Sequence, residues 1–138
     1  MTAKEFLSQA YWLDKRIDSK LSQIAALRNM VTKTNSVMND SPVTHTRNVH
    51  SMQDTIAKIV DMESEINADI DKLVDLKCLI MHTIKDVGSP EYQTLLELRY
   101  LNFKTWEEIA SEMGYCANNV YKMHGKALSA VKLPESLQ

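Results

Sequence analysis

Glycine and proline are scarce in this chain, three of each in 138 residues. An all-β protein needs far more turn chemistry, so a strand-rich fold is excluded. Aromatic residues make up only 7%. No apolar run approaches the length that crosses a bilayer, which excludes a membrane-spanning reading. The opening Met1-Thr-Ala-Lys-Glu5 has no signal-peptide hydrophobic region, and the expected location is cytoplasmic. Cysteine is limited to Cys78 and Cys116, without a framework spacing, so both read as free thiols.

The residues that support catalysis are equally thin. His45, His50, His82 and His124 are scattered, and no His/Cys/Asp group has metal-ligand spacing. No glycine-rich phosphate loop exists. The run Asp61, Glu63, Glu65, Asp69, Asp71, Asp75 reads as a solvated helix face. The expectation is a protein that is not an enzyme and carries no cofactor and no metal. Cys78 reads as a small packing residue, and Cys116 stands where Ser usually caps a helix.

What the chain has instead is helical periodicity. Phe6, Ala10, Leu13, Ile17, Ile24, Leu27 and Val31 recur at alternating steps of three and four, with Lys20 in the one polar slot. That is a heptad stripe on a helix over residues 3 to about 32, opened by a Thr2/Glu5 capping box. A second stripe runs through Met52, Ile56, Ile59, Ile66, Ile70, Leu73, Ile80, Ile84 and Val87, with Glu63 and Lys77 in polar slots. Val60, Val74, Met81, Met62 and Leu76 widen it beyond a two-stranded seam. Ser51 with Asp54 reads as the capping box that opens this second helix. Between the two, residues 33–51 are rich in Thr, Asn and Ser and read as a loop.

The first long segment carries formally +3 and the second −4, so pairing them neutralises charge. The expected fold is all-α: a long antiparallel coiled-coil hairpin over residues 1–88, then a three-helix helix-turn-helix domain over 89–138. The wide second stripe predicts a homo-oligomer through residues 3–32 and 52–87, with two hairpins forming a four-helix bundle. The competing expectation is that this stripe packs on the C-terminal domain of its own chain.

Gly88-Ser89-Pro90 ends one helix and starts the next, which runs to about Tyr100. Thr105 with Glu108 caps a second short helix, and Cys116 takes the cap position of a third that runs to about Lys132. Ala110, Gly114 and Val120 stand at helix-turn-helix spacing. Ala110 permits a close crossing, Gly114 supplies a left-handed turn where a Cβ is expected to clash, and Val120 points back into the preceding helix. Such a unit delivers its last helix to the major groove of double-stranded DNA.

On that last helix, Val120, Met123, Ala127 and Leu128 are the expected buried side. Ala117, Asn118, Asn119, Tyr121 and Lys122 are the expected DNA-facing positions. Asn pairs with adenine in two hydrogen bonds, Ala meets a thymine methyl, and Lys reaches guanine or phosphate. His124, Lys126 and Lys132 suit phosphate contacts, and residues 116–133 contain three Lys and no acid. Trp106 and Tyr100 read as core. Arg99 and Lys104 read as either phosphate contacts or solvated side chains.

The run Leu95-Leu-Glu-Leu-Arg-Tyr-Leu-Asn-Phe-Lys-Thr-Trp-Glu-Glu-Ile-Ala-Ser-Glu-Met-Gly-Tyr115 resembles region four of sigma-70 type sigma factors, as does Lys126-Ala-Leu128. The resemblance implies binding of a promoter element through the last helix, with Ala117, Asn118, Tyr121 and Lys122 facing bases. Region two, which opens promoters, has no counterpart here. The whole chain is similar to small phage-encoded ArpU-like transcriptional regulators, through Asn67-Ala-Asp-Ile-Asp-Lys-Leu-Val-Asp-Leu-Lys77 and Tyr121-Lys-Met-His-Gly-Lys-Ala-Leu128. That similarity implies a transcriptional role in the cytoplasm of a bacterial host. The family's recognition helices open with Ser and Arg-rich positions, where this chain has Cys116, Ala117, Asn118 and Asn119. A second reading follows: a non-enzymatic interaction protein whose sigma-like domain docks on RNA polymerase or a phage protein.

Overall fold

A computed structural model describes the backbone of residues 1–37 and 42–137, with side chains over 1–33 and 51–136. The protein is all-α: among the described residues there are five α-helices and no strand. They are α1 (Ala3–Val37), α2 (Pro42–Lys85), α3 (Pro90–Tyr100), α4 (Trp106–Met113) and α5 (Ala117–Ala130), followed by a 3-10 turn at Glu135–Leu137.

The start of α1 is closed by both arms of its capping box. The Glu5 amide donates to Thr2 Oγ1 at 3.1 Å, and the Thr2 amide donates to Glu5 Oε2 at 2.9 Å. The first stripe lies on one face: Phe6, Ala10, Ile17 and Ile24 are buried, and Leu13, Lys20, Leu27 and Val31 are half-buried.

The loop expected over 33–51 is mostly helix. α1 continues to Val37 and α2 already starts at Pro42; residues 38–41 lie outside the described residues. Ser51 therefore caps nothing: it sits inside α2, where its carbonyl accepts from the Thr55 hydroxyl at 2.8 Å. The reason is the small size of the opposing term. Thr, Asn and Ser each cost about 0.5 kcal/mol in a helix interior, and proline is tolerated in a first turn.

The chain packs as two compact units. One unit is residues 15–71. Here Ile17, Ile24, Ile59 and Ile66 are buried, and three ion pairs tie the helices. Lys20 Nζ lies 2.7 Å from Asp69 Oδ2 and 3.7 Å from Glu65 Oε2, and Arg28 pairs with Glu63. Asp69 is buried, so the acidic run is not uniformly solvated. The polar slot at Lys20 exists because a carboxylate faces it. Two positions of the second stripe, Ile56 and Ile70, stay exposed, as do Leu21, Met30 and Val60.

The other unit is residues 1–14 with 72–138. Its core draws on every helix: Phe6, Leu7 and Ala10 from α1, Ile80 and Ile84 from α2, Leu95, Leu96 and Tyr100 from α3, Ile109 and Ala110 from α4, Val120 and Ala127 from α5. Residue 88 therefore falls inside a packed unit, and the competing expectation for the second stripe is met over Ile80, Ile84 and Val87. Cys78 is exposed rather than packed. Gln93 holds the turn before α3, its amide donating to the Lys85 carbonyl at 3.2 Å and to the Val87 carbonyl.

Candidate nucleic-acid interface

Three short helices build the candidate site, and each start has its local cause. Ser89 accepts from the Tyr92 amide at 3.4 Å, with Pro90 at the first position of α3. Thr105 accepts from the Glu108 amide at 3.2 Å and opens α4. Cys116 occupies the cap position of α5, but its side chain makes no cap hydrogen bond.

α4 ends at Gly114, which adopts φ 74°. The Gly114 and Tyr115 amides both donate to the Ala110 carbonyl, the latter at 3.0 Å. A Cβ added at Gly114 would meet nothing within 4 Å, so the expected clash is absent. The restriction is the left-handed backbone itself. Ala110 and Val120 are both buried, and α3, α4 and α5 pack on one another.

α5 divides into two faces. Val120, His124 and Ala127 are buried at i, i+4 and i+7, and Met123 and Leu128 are half-buried beside them. Away from that side Asn118, Asn119, Lys122 and Lys126 are exposed, and Ala117 and Tyr121 are exposed at its edge. Asn118, Lys122 and Lys126 form one row at i, i+4 and i+8. Neither lysine pairs with a carboxylate among the described residues. Tyr121 is half committed elsewhere, with its ring 5.3 Å from that of Trp106.

His124 is not on the exposed face, which corrects its expected phosphate contact. Its Nε2 lies 2.6 Å from the Tyr100 hydroxyl, and Trp106 packs edge-on at 4.6 Å between ring centroids. Burial pushes the imidazole down to about 4, and the nearby charges of Lys4 and Arg99 add to that effect. Burial likewise pushes the Tyr100 phenol up to about 12, against the opposite pull of Arg99. At neutral pH both groups are uncharged, and they share one hydrogen bond whose direction follows the imidazole tautomer. The pair locks α3 to α5 from inside.

Arg99 and Lys104 both have intramolecular contacts, Arg99 with no carboxylate among them and Lys104 with two. The Arg99 guanidinium lies over the Trp106 ring at 4.3 Å and donates to the Lys104 carbonyl at 2.9 Å. Lys104 Nζ pairs with Glu112 at 3.4 Å and Glu108 at 3.9 Å. Tyr100 is core as expected, and Trp106 is half-buried between Arg99, Tyr121 and His124. Tyr11, Trp12 and Phe103 form an aromatic wall nearby, and Tyr11 and Trp12 belong to no motif. Their available signal was two adjacent aromatics off the heptad stripe.

Among the described residues no group of three His, Cys, Asp or Glu is placed to hold a metal ion, and no helix is long and apolar enough to cross a membrane. The chain matches no protein-family model, no curated protein and no solved structure.

Proposed function

We propose that the protein is a sequence-specific DNA-binding transcriptional regulator that acts as an oligomer, with α4 and α5 as its helix-turn-helix and α5 as its recognition helix. The observation that carries this reading is the two-faced character of α5. Val120, His124 and Ala127 anchor one side in the core, while Asn118, Lys122 and Lys126 stand in an exposed row free of acid. Asn118 and Asn119 in the first turn supply the base-reading chemistry, Ala117 a methyl contact, and Lys122 and Lys126 the phosphate contacts. His124 acts from within, as a positioning residue for that face. The sigma region-four resemblance and the ArpU-like similarity support the same reading and a phage origin.

Two copies are part of the proposal. One recognition helix carrying lysines but no arginine neutralises few phosphates, and a second copy raises the effective concentration on DNA. The exposed Leu21, Met30, Ile56, Val60 and Ile70 supply an apolar surface for pairing of the coiled-coil hairpins.

A titration of labelled promoter-sized duplex DNA with the intact chain tests the function, with sedimentation run in parallel. Asn118→Ala is expected to cost about 1–3 kcal/mol on a selected sequence and little on others. Lys122→Ala should weaken binding to all sequences and lower the salt slope by about 1. Absence of binding at low salt by the sedimenting oligomer overturns the reading. The second reading, docking on RNA polymerase or a phage protein, is favoured by the net charge of −2 and the guanidinium-free α5. A polymerase contact that survives nuclease treatment would decide for it.

A further inference from the structure

A cavity of about 460 Å³ lies among Lys4, Tyr11, Trp12, Arg99, Phe103 and Trp106. Its volume falls in the range of small-molecule sites, about 300–1,000 Å³. Three independent features of its wall go unused by the proposed DNA contact.

The first is Trp12. It is the most exposed large hydrophobic residue described, at 66%, although it sits on a helix with a buried stripe available. Its indole stands edge-on to the Tyr11 ring at 5.3 Å, and Tyr11 stands edge-on to Phe103 at 5.7 Å. An indole left in water at the rim of an aromatic wall offers an open face for stacking.

The second is the backbone of Phe103, which has φ 55°. A bulky residue in the left-handed region is an outlier where Gly or Asn is ordinary, and Asn102 is its neighbour. Arg99 braces this turn through the Lys104 carbonyl, and Lys77 Nζ lies 5.0 Å from the Phe103 ring. Strain of this kind persists where the side chain serves a site.

The third is charge. Lys4 and Arg99 both line the cavity, no carboxylate does, and neither forms an ion pair among the described residues. Burial chiefly lowers the proton affinity of His124, and the same two cations add to that effect. The local field is positive and selects an anion.

Rings alone would take any apolar ligand, and cations alone any anion. Together they describe a planar aromatic group carrying negative charge. We propose that this cavity binds a single nucleotide unit, its base stacked on the Trp12 side of the wall and its phosphate met by Lys4 and Arg99. The unit has two sources, a free mononucleotide or one residue of a single strand, because both present the same base and phosphate. The site is separate from the exposed face of α5, so it stands or falls apart from duplex binding.

Calorimetric titration of the full chain tests this with the four nucleoside monophosphates, a short single-stranded oligonucleotide, adenosine and inorganic phosphate. Saturable binding of a monophosphate or the oligonucleotide is expected. Trp12→Ala and Lys4→Gln should each weaken it at least about tenfold while the melting temperature holds, because both side chains are exposed. A free nucleotide binding as tightly as the oligonucleotide assigns the first source; binding of the oligonucleotide alone assigns the second. No saturable binding of either at about 1 mM would overturn the proposal. So would Trp12→Ala binding like the parent, or phosphate or adenosine alone matching the nucleotide.

Discussion

The two compact units solve the same problem with different means. In the unit of residues 15–71, the buried isoleucines Ile17, Ile24, Ile59 and Ile66 all retain between 3% and 7% of their surface. In the unit built from 1–14 and 72–138, Phe6, Leu7, Ile80, Ile84, Leu95, Leu96, Ile109 and Val120 retain none. Two helices can shield one stripe from two sides only, whereas five helices enclose a side chain completely. The thinner unit adds the Lys20–Asp69 and Arg28–Glu63 pairs and still leaves Leu21, Ile56 and Val60 in water. The denser unit uses a buried polar ring pair, Tyr100 with His124, to fix α5. Enclosure makes one unit a fixed platform, and incomplete cover leaves the other with apolar side chains in water.

Alanine truncation in each unit measures that difference most directly. Leu96→Ala should cost about 3–4 kcal/mol in denaturant unfolding and Ile24→Ala about 2, because a partly open site relaxes more readily. Equal losses would break the comparison. Acid comes next. Neutral in both states above pH 6.5, His124 costs nothing there; between pH 6.5 and about 4 the unfolded chain binds a proton that the folded chain refuses. Stability should therefore fall with pH across this window, by up to about 3 kcal/mol from this group, with no further loss below it. His124→Gln should flatten that part of the curve relative to the parent, read as melting temperature against pH.

The ion pair of the thinner unit is worth less. Asp69→Ala leaves the Lys20 ammonium with Glu65 alone, at 3.7 Å, and should cost about 2 kcal/mol, while Lys20→Leu with Asp69→Leu should sit near the parent. If the double variant is as unstable as the single, the pair contributes more than its burial implies. The smallest effect lies on α5. Gly125 is exposed in the helix interior with open space around an added Cβ, so Gly125→Ala should stabilise by about 1 kcal/mol.

Much of the helix plan is legible in residues alone. Thr2/Glu5, Ser89-Pro90, Thr105 and Gly114 act through neighbours within five positions, so their geometry follows from local chemistry. Ser51 failed as a cap because a cap pattern is silent about whether a helix has already begun upstream. His124 was misplaced because polarity argued for water while the spacing from Val120 to Ala127 argued for burial, and the spacing won. Cys78 went the other way, an apolar type left exposed.

The order of residues by itself determined the all-helical class, the buried stripes and the starts of the short helices, since these depend on periodicity and on hydrogen bonds a few residues long. Tertiary structure alone decided which distant groups meet. Lys20 finds Asp69 across 49 positions, Tyr100 finds His124 across 24, and Tyr11 meets Phe103 beside a cavity that no motif announced. A pairing between helices is set by how two surfaces pack, and packing at that range leaves no spacing in the chain to read.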